Sequence, residues 1–426
     1  MKKFLEYGIY LLVFLLPWQT RWIFKAGDLN GYSEYNTYSL YGTEILLFAI
    51  IALGLFYLIE KKQLKFKINN YNVIIACLFI AVPTILSVIF ALNQGLAFYT
   101  LLKLLEGLAM AFLIYKLTNF KKIICAFSAG MSLQALIALW QFFTQSSFSS
   151  KWLGVAIHDA STLGTSVIET ECGRWLRAYG ALPHPNILSG YLMITIFLLI
   201  ILYAEGKNVE EKHSNCNHIF IVGSAIICSA ALFFAFSRAA WIALFFGLII
   251  YLFLNLKNIK YFQKIIALLF LCFLLPFIFS LVYLPLSKTR LEGTARLEEK
   301  SGNERIQSYR EAEKIIKTYP FFGAGPGNYT LTVKNNINQN LESFAYQPTH
   351  NIYLLLISEF GILTLIPLII LFILYIKNIF SLKFIILSPI LILGLFDHYL
   401  ISLYAGIMLS GLILGLYLLK QKKISE

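Results

Sequence analysis

Charged residues are scarce in this chain of 426 residues, since Asp, Glu, Lys and Arg together make up 13% of it. A soluble domain usually carries about a quarter. Hydrophobic residues make up 58%, the mean hydropathy is +0.72, and long apolar runs recur from one end to the other. This composition excludes an ordinary soluble domain and favours a protein that has lipid as its solvent.

Several common binding motifs are also missing. No two of the six cysteines form a CxxC pair, so the sequence indicates no metal site. The glycines at 323, 325 and 327 are not followed by Gly-Lys-Ser/Thr, which excludes a P-loop and leaves turn geometry as their reason. The net charge of +13 comes without a basic helix or an RNA-binding motif. We therefore expect no metal, no cofactor and no nucleic-acid partner.

The apolar runs predict an all-α integral membrane protein with one polytopic domain over residues 1–426. A helical span needs about 20 mostly apolar residues, and we count about twelve such runs. They lie near 4–20, 41–59, 71–91, 97–115, 123–142, 186–204, 218–236, 239–255, 265–284, 350–375, 384–400 and 403–419. The first run resembles a signal peptide, but Pro17-Trp18-Gln19 replaces the small residues of a cleavage site, so we interpret it as an uncleaved span.

Lysines predict the orientation of these spans. They cluster beside Met1 and after the second, fourth, eighth and twelfth runs, which all lie on one side of the membrane if there are twelve spans. The positive-inside rule makes that side cytoplasmic. Two long segments, 143–185 and 285–349, are then outer loops, where function is often found. In the second, Ser301-Gly302-Asn303-Glu304 matches a capping box, which predicts a short helix near 302–318 that Pro320 ends.

Every arginine falls on the outer side of this topology: Arg21, Arg174, Arg177, Arg238, Arg290, Arg296, Arg305 and Arg310. The guanidinium fork suits phosphate or carboxylate, so we expect an anionic substrate such as a lipid-linked pyrophosphate. The alternative is pairing with acidic neighbours in the loops, such as Glu292, Glu298 and Glu311, and we favour it for Arg290, Arg296 and Arg310. Arg238 stands between two apolar runs, where a charge is costly and usually functional unless it snorkels to headgroups.

Three short segments carry a resemblance to a known family. The first is Arg177-Ala178-Tyr179-Gly180-Ala181-Leu182-Pro183-His184-Pro185-Asn186. The second is Arg305 to Tyr309 followed by Pro320-Phe321-Phe322-Gly323-Ala324-Gly325-Pro326-Gly327-Asn328. The third is His350-Asn351-Ile352-Tyr353-Leu354 followed by Glu359-Phe360-Gly361. In this order, with Ser237-Arg238 between the first and second, they resemble the O-antigen ligase and O-antigen polymerase superfamily.

The resemblance implies a metal-independent glycosyltransferase of the bacterial inner membrane that serves polysaccharide or lipopolysaccharide biosynthesis. Such enzymes take a glycan from undecaprenyl pyrophosphate on the periplasmic face and pass it to a hydroxyl of an acceptor glycolipid or polysaccharide. By the resemblance, the pyrophosphate is held by Arg177, Arg238 and Arg305, and His350 acts on the acceptor hydroxyl. The further candidates are His184, Asn186, Asn351 and Arg174.

General chemistry is consistent with this hypothesis. Arginines can neutralise a leaving pyrophosphate without a metal, and a neutral histidine can take a proton near pH 7. The structural alternatives are that His350 merely precedes a helix with Thr349 as its N-cap, and that His184-Pro185 simply begins a helix. Asp397-His398, at a predicted outer helix end, could be structural or functional.

Three functions stay open from the sequence. The leading hypothesis is a ligase, and the closest alternative is a polymerase of the same superfamily. A flippase or transporter for a lipid-linked sugar would also fit twelve spans. A transporter should carry charged groups through the membrane interior on many spans, whereas here they cluster in the predicted outer loops, which favours an enzyme.

Overall fold

The computed structural model describes residues 1–60, 81–171, 173–205, 217–256, 259–367, 369–370 and 382–425. The α-helices in chain order are α1 (Lys2–Leu15), α2 (Gly42–Glu60), α3 (Gln94–Leu117), α4 (Phe120–Thr144), α5 (Pro185–Glu205), α6 (His218–Phe234), α7 (Arg238–Asn255), α8 (Ile259–Val282), α9 (Leu284–Glu292), α10 (Arg296–Thr318), α11 (Tyr329–Thr332), α12 (Ile352–Phe360), α13 (Leu382–Leu393), α14 (Tyr399–Ser402) and α15 (Tyr404–Ser425). A helical segment also covers 81–89. The strands are β1 (Arg21–Asp28), β2 (Tyr32–Tyr41), β3 (Val167–Thr170) and β4 (Gly173–Leu176).

Several of these helices have the length and composition of membrane spans. The long ones are Gln94–Leu117, Phe120–Thr144, Pro185–Ala204, Arg238–Asn255 and Phe262–Val282, five in the described residues. Shorter apolar helices are Gly42–Tyr57, His218–Phe234 and Tyr404–Leu419. All coincide with predicted runs. The predicted runs 71–91 and 350–375 lie partly outside the described residues, and the count of twelve stays a prediction.

Other predicted runs contain helices that end early. α1 ends at Leu15, two residues before Pro17, which cannot continue a helix without strain. α12 ends at Phe360 because Gly361 has a φ of +80° and a Cβ there would meet the Phe321 carbonyl oxygen at 2.1 Å. α13 covers 12 residues and leaves the Asp397 region in a turn. Polar residues are thereby placed at helix ends rather than within spans.

Two antiparallel hairpins correct the all-α prediction. β1 pairs with β2 between Arg21↔Tyr41 and Asp28↔Tyr32, and β3 pairs with β4 between Val167↔Leu176 and Thr170↔Gly173. Their strands lack long apolar runs, so a search for membrane spans passes over them. Burial alternates along the second half of β2, where Thr37, Ser39 and Tyr41 are buried, which is typical of a strand with one buried face. The protein is mostly helical with two small hairpins.

α5 is the central helix of the bundle. Of an 18-residue apolar stretch within α5, 94% is buried inside the protein. α5 contacts α4, α6, α7 and α8. It begins at Pro185, whose fixed φ suits a first helical position. The segment that precedes it therefore lies at the buried end of the central helix.

α10 begins earlier than the sequence predicts. It starts at Arg296 after the N-cap residue Ala295, so Ser301 to Glu304 lie inside the helix and do not cap it. The capping-box interpretation is wrong because the helix begins before Ser301. Its first turn makes tertiary contacts, described below, that favour this earlier start. It ends at Thr318, before Pro320, and buries Ala312 and Ile315 in a small second core.

α3 and α15 approach closely at a pair of glycines, and this contact gives a test of the fold. A Cβ on Gly411 would lie 2.4 Å from the backbone oxygen of Gly107. We expect Gly411→Ala to destabilise the purified protein in detergent by about 1–3 kcal/mol, because backbone must move to admit the methyl group. Thermal unfolding measures the effect. Gly223→Ala on α6 is the control, since a Cβ there meets nothing within 4 Å and Ala is the better helix former. Equal melting temperatures for the two variants would contradict this packing.

Candidate functional site

Arg177 joins separate parts of the chain at the buried end of α5. Its Nε and Nη2 donate to the Ala235 carbonyl oxygen (2.9 and 2.6 Å), Nη1 donates to Ser166 Oγ (2.9 Å), and Nη2 donates to Asn186 Oδ1 (2.9 Å). These bonds use most of its donors. Burial, and then the charge of Arg290, lower the pKa of the guanidinium. Arg177 therefore has mainly a structural role, since its hydrogen bonds hold Ser166, Asn186 and Ala235 together beside the site.

His184 and Asn186 form the start of α5. His184 Nδ1 accepts a hydrogen bond from the Asn186 backbone N–H (3.1 Å), so the interpretation of His184-Pro185 as a helix start is confirmed. Burial, with a further contribution from Arg177, lowers the pKa of His184 to about 3, which keeps the ring neutral. The Asn186 amide also donates to Asp397 Oδ2 (3.1 Å). Asn186 thus connects Arg177 to Asp397.

His350 lies beside the buried carboxylate of Asp397. Its Nδ1 is 3.8 Å from Asp397 Oδ1, longer than a hydrogen bond, and has no hydrogen-bond partner within the described part of the chain. Burial raises the pKa of Asp397, but interactions with His350 and His398 outweigh it and hold this pKa well below its usual range. Asp397 is thus a charged group, only 3% exposed, that faces the imidazole. A small closure would complete the pair, as active-site contacts often tighten when substrate binds.

Asn351, and not Thr349, is the N-cap of α12. Its side chain accepts hydrogen bonds from the backbone N–H groups of Tyr353 (2.9 Å) and Leu354 (3.1 Å). Thr349 is buried, with its hydroxyl 3.4 Å from Ser308 Oγ. The prediction of Thr349 as the N-cap is therefore wrong, and whether His350 has a structural or a catalytic role stays a prediction. Capping by Asn351 fixes the backbone next to the imidazole.

His398 forms a cluster with His350 and Asp397. The ring centroids of His398 and His350 are 5.2 Å apart, and His398 Nδ1 lies 2.7 Å from Ser402 Oγ. Burial lowers the pKa of His398 to about 3. Donor atoms of His350, Asp397 and His398 lie within 4.8 Å of one another, so these are the residues that could hold a metal ion. The absence of a metal stays a prediction, and Asp397-His398, left open by the sequence, belongs to this site.

Arg238 begins α7 at the corner expected from the sequence. Phe236 holds a left-handed φ of +48°, a strained conformation that lets α6 end and α7 start within a few residues. Arg238 Nη2 lies 3.0 Å from Glu298 Oε2, yet its side chain stays 45% exposed. Arg290 also pairs with Glu298 and donates from Nε to the Phe236 carbonyl oxygen (2.8 Å). The corner thus gathers two arginines around one carboxylate.

The other arginines have different surroundings. Arg305, half-buried on α10, has no ion pair or side-chain hydrogen bond among the residues described, and its charge lowers the pKa of Arg290 and of His398. Arg174 on β4 donates weakly to the Ser161 carbonyl oxygen (3.4 Å). Arg296 pairs with Glu169 at 2.9 Å, a carboxylate distant in sequence.

Pairing was the expectation for three loop arginines, and its outcome is mixed. It is confirmed for Arg290 with Glu298, and for Arg296 with a different partner, Glu169. Arg310 is exposed and has no ion pair within the described ranges. The structure brings Arg177 near Asp397 and Arg305 near His398, whereas Arg238 is paired with Glu298 and Arg174 is held in the β3–β4 hairpin.

A polar groove leads to His350 between α10 and residues 340–348, with a volume of about 710 Å³. Acidic side chains outnumber basic ones along it. Its lining includes Arg296, Glu299, Lys300, Asn303, Glu304, Gln307, Glu311, Asn340, Glu342, Phe344, Gln347 and His350. The β1–β2 turn holds one wall, because Asn30 Nδ2 donates to the carbonyl oxygens of Gln339 (2.9 Å) and Leu341 (3.1 Å).

The glycine-rich loop before α11, residues 323–327, is hydrogen-bonded to the C-terminal end of α12. Gly323, Gly325 and Gly327 have φ values of +69°, +99° and +71°, which confirms turn geometry. The Ala324 N–H donates to the Ser358 carbonyl oxygen (2.9 Å), and the Gly325 N–H donates to that of Glu359 (2.9 Å). The loop therefore fixes the end of the short helix whose start carries His350.

Residues 223–369 match the family model described as O-Antigen ligase. The matched range includes Arg238, Arg305 and His350, and it excludes Arg177 and Asp397. The match contains the second and third of the three segments that carry the resemblance, and it supports the O-antigen ligase superfamily. A comparison with curated proteins finds no match.

The hydrogen bonds of Arg177 predict a large effect on stability. We expect Arg177→Met to lower the free energy of unfolding by about 3 kcal/mol, because several buried polar partners lose their donor. Arg310→Met, an exposed change on α10, should stay within about 0.5 kcal/mol of the wild type. Thermal unfolding in detergent compares the two. A well-folded Arg177→Met protein with wild-type stability would show that this guanidinium does not hold the site together.

Proposed function

We propose, from the O-antigen ligase family domain and the geometry around His350, that the protein is a membrane glycosyltransferase of the ligase type. It would transfer a glycan from undecaprenyl pyrophosphate to an acceptor hydroxyl on the periplasmic face of the bacterial inner membrane. The observation that carries the proposal is one arrangement of groups. His350 lies beside the buried carboxylate of Asp397 and lines a polar groove, and Arg305 is close enough to the neighbouring His398 to lower the pKa of that ring.

The proposed reaction needs one base and a stabilised leaving group. The acceptor oxygen attacks the anomeric carbon of the donor sugar, and the bond from that carbon to the pyrophosphate oxygen breaks. His350 takes the proton of the attacking hydroxyl, and Asp397 stabilises the imidazolium that forms. The pyrophosphate leaves on its lipid with both electrons of the broken bond.

Arginines would supply the positive charge for this leaving group. Arg305 has an unengaged guanidinium in the described structure, and Arg238 is half-exposed, so both can turn towards an anion. Donors aimed at developing charge in a partly dry site are among the strongest contributors to catalysis. Arg177 would act differently, as a positioning residue that holds Asn186 and, through it, Asp397.

The groove fits the acceptor. Its volume lies within the range of about 300–1,000 Å³ that ligand sites occupy. Amide and carboxylate side chains accept hydrogen bonds from sugar hydroxyls, and the exposed Phe344 offers an apolar face for a sugar ring. The excess of acidic side chains disfavours a second phosphate there. Since His350 lines the groove, an acceptor in it could present a hydroxyl to the base.

Transfer in vitro tests the proposal through His350. We expect His350→Ala to lose about 10²–10⁴-fold in kcat, the usual contribution of a general base. Purified protein in detergent would receive an undecaprenyl-pyrophosphate glycan donor, a chelator, and either a glycolipid acceptor or donor alone. His218→Ala at the start of α6 is the matched histidine control and should keep full activity.

Each outcome of this assay decides something. Transfer to the glycolipid supports the ligase, whereas lengthening of the donor glycan without it supports a polymerase. Undiminished transfer by a folded His350→Ala protein would remove His350 from the reaction. If the wild type transfers no glycan but carries the donor across vesicle membranes, the enzyme proposal fails and the transporter takes its place.

Asp397 should affect turnover more than acceptor binding. We expect Asp397→Asn to lower kcat at least about tenfold with little change in the acceptor KM, because the amide no longer stabilises the imidazolium. Steady-state kinetics with varied acceptor measures both constants. A rise in KM at constant kcat would instead assign Asp397 to acceptor binding.

A further inference from the structure

The carboxylate of Glu298 has unusual surroundings. It is 6% exposed, and each of its oxygens faces an arginine from a different element, Arg238 at the start of α7 and Arg290 in the last turn of α9. Other pairs on α10, such as Lys300–Glu304 and Lys317–Glu313, are exposed pairs four residues apart. Glu298 therefore differs from the exposed ion pairs along the surface of α10.

The arrangement has the chemistry of an occupied anion site. Two guanidinium groups around two oxygens are what a phosphate group would receive. The contact to Arg238 is close but poorly aligned, because Glu298 Oε2 is buried without a hydrogen bond from any described residue. Half of the Arg238 side chain remains open to a ligand. A stronger anion could therefore take both arginines from this carboxylate.

We propose that Glu298 is an internal substitute for the donor's pyrophosphate. In the empty protein its carboxylate occupies an anion site made by Arg238 and Arg290, and the pyrophosphate of the donor displaces it. Arg290 thereby becomes an anion ligand and not only a structural partner. This inference rests on the proposed function where it names pyrophosphate as the ligand.

Displacement of Glu298 would also change the wall of the groove that α10 forms. Glu298 is in the first turn of α10, and Glu299 and Lys300 of the same turn line the groove. The preceding link contains Gly293, whose φ of +68° ends α9 and allows the chain to change direction before α10. Release of Glu298 would free this turn, so donor binding would alter the wall along which the acceptor lies.

Binding of inorganic pyrophosphate tests the inference without any transfer reaction. Calorimetry would use the full-length protein in detergent with a chelator present. We expect Glu298→Gln to bind pyrophosphate about tenfold more tightly than the wild type, because a competing internal anion lowers apparent affinity by the fraction of sites it fills. Glu313→Gln makes the same charge change in a surface pair of the same helix and should leave the affinity unchanged.

Two outcomes would overturn the inference. Equal or weaker binding by a folded Glu298→Gln protein would make Glu298 a structural partner and leave the proposed transferase intact. No binding by the wild type or either variant would overturn the anion site itself, and with it the proposed role of Arg238.

A second measurement needs no variant. Hydrogen exchange on the wild type should show faster exchange over residues 293–300 when pyrophosphate is added, since the first turn of α10 loses its anchor. Saturating pyrophosphate that leaves this exchange unchanged would contradict displacement even if Glu298→Gln fails to fold.

Discussion

The hydrogen bond from the buried Arg177 guanidinium to Asn186 is the contact on which the site depends. Arg177 fastens the end of α6 through the Ala235 carbonyl oxygen, and Asn186 extends the same chain of hydrogen bonds to Asp397. Buried polar groups of this kind are costly to leave unpaired, so each member holds the others in place. The position of the carboxylate beside His350 therefore follows from contacts made on the far side of Asn186.

Short helices make this network possible. α12 and α13 end well within the lengths of their apolar runs, and the turns that follow provide non-helical backbone for polar groups. In a membrane protein such backbone is tolerated where protein buries it or water reaches it. The glycine-rich loop supplies that cover at α12, because its N–H groups satisfy carbonyl oxygens at the helix end.

The sequence predicts features that depend on neighbouring residues better than features that depend on contacts between distant residues. Apolar runs are local, so the sequence predicts the helices α3 to α8 well. Arg238 stands out because a charge between two apolar runs is costly, whereas His350 is a candidate only through the family resemblance. Glu298 is expected from the sequence only as a partner of loop arginines, and Asp397-His398 stays open, since Arg238 and Asn186, their further partners, are distant in sequence. The early start of α10 depends on that same long-range pairing. The hairpins were missed because their strands are short and carry no long apolar run.

The β1–β2 turn lies in the amino-terminal part of the chain, outside the range that matches the family, yet Asn30 holds the wall of the groove. On the proposed function, the base His350 lies inside the matched range, while one wall of the acceptor groove is held from outside it. Substitutions in the turn would then reshape the surroundings of the proposed acceptor while His350 and Asp397 keep their geometry. A lineage could exchange one sugar for another by remodelling this hairpin, with the reaction itself left unchanged.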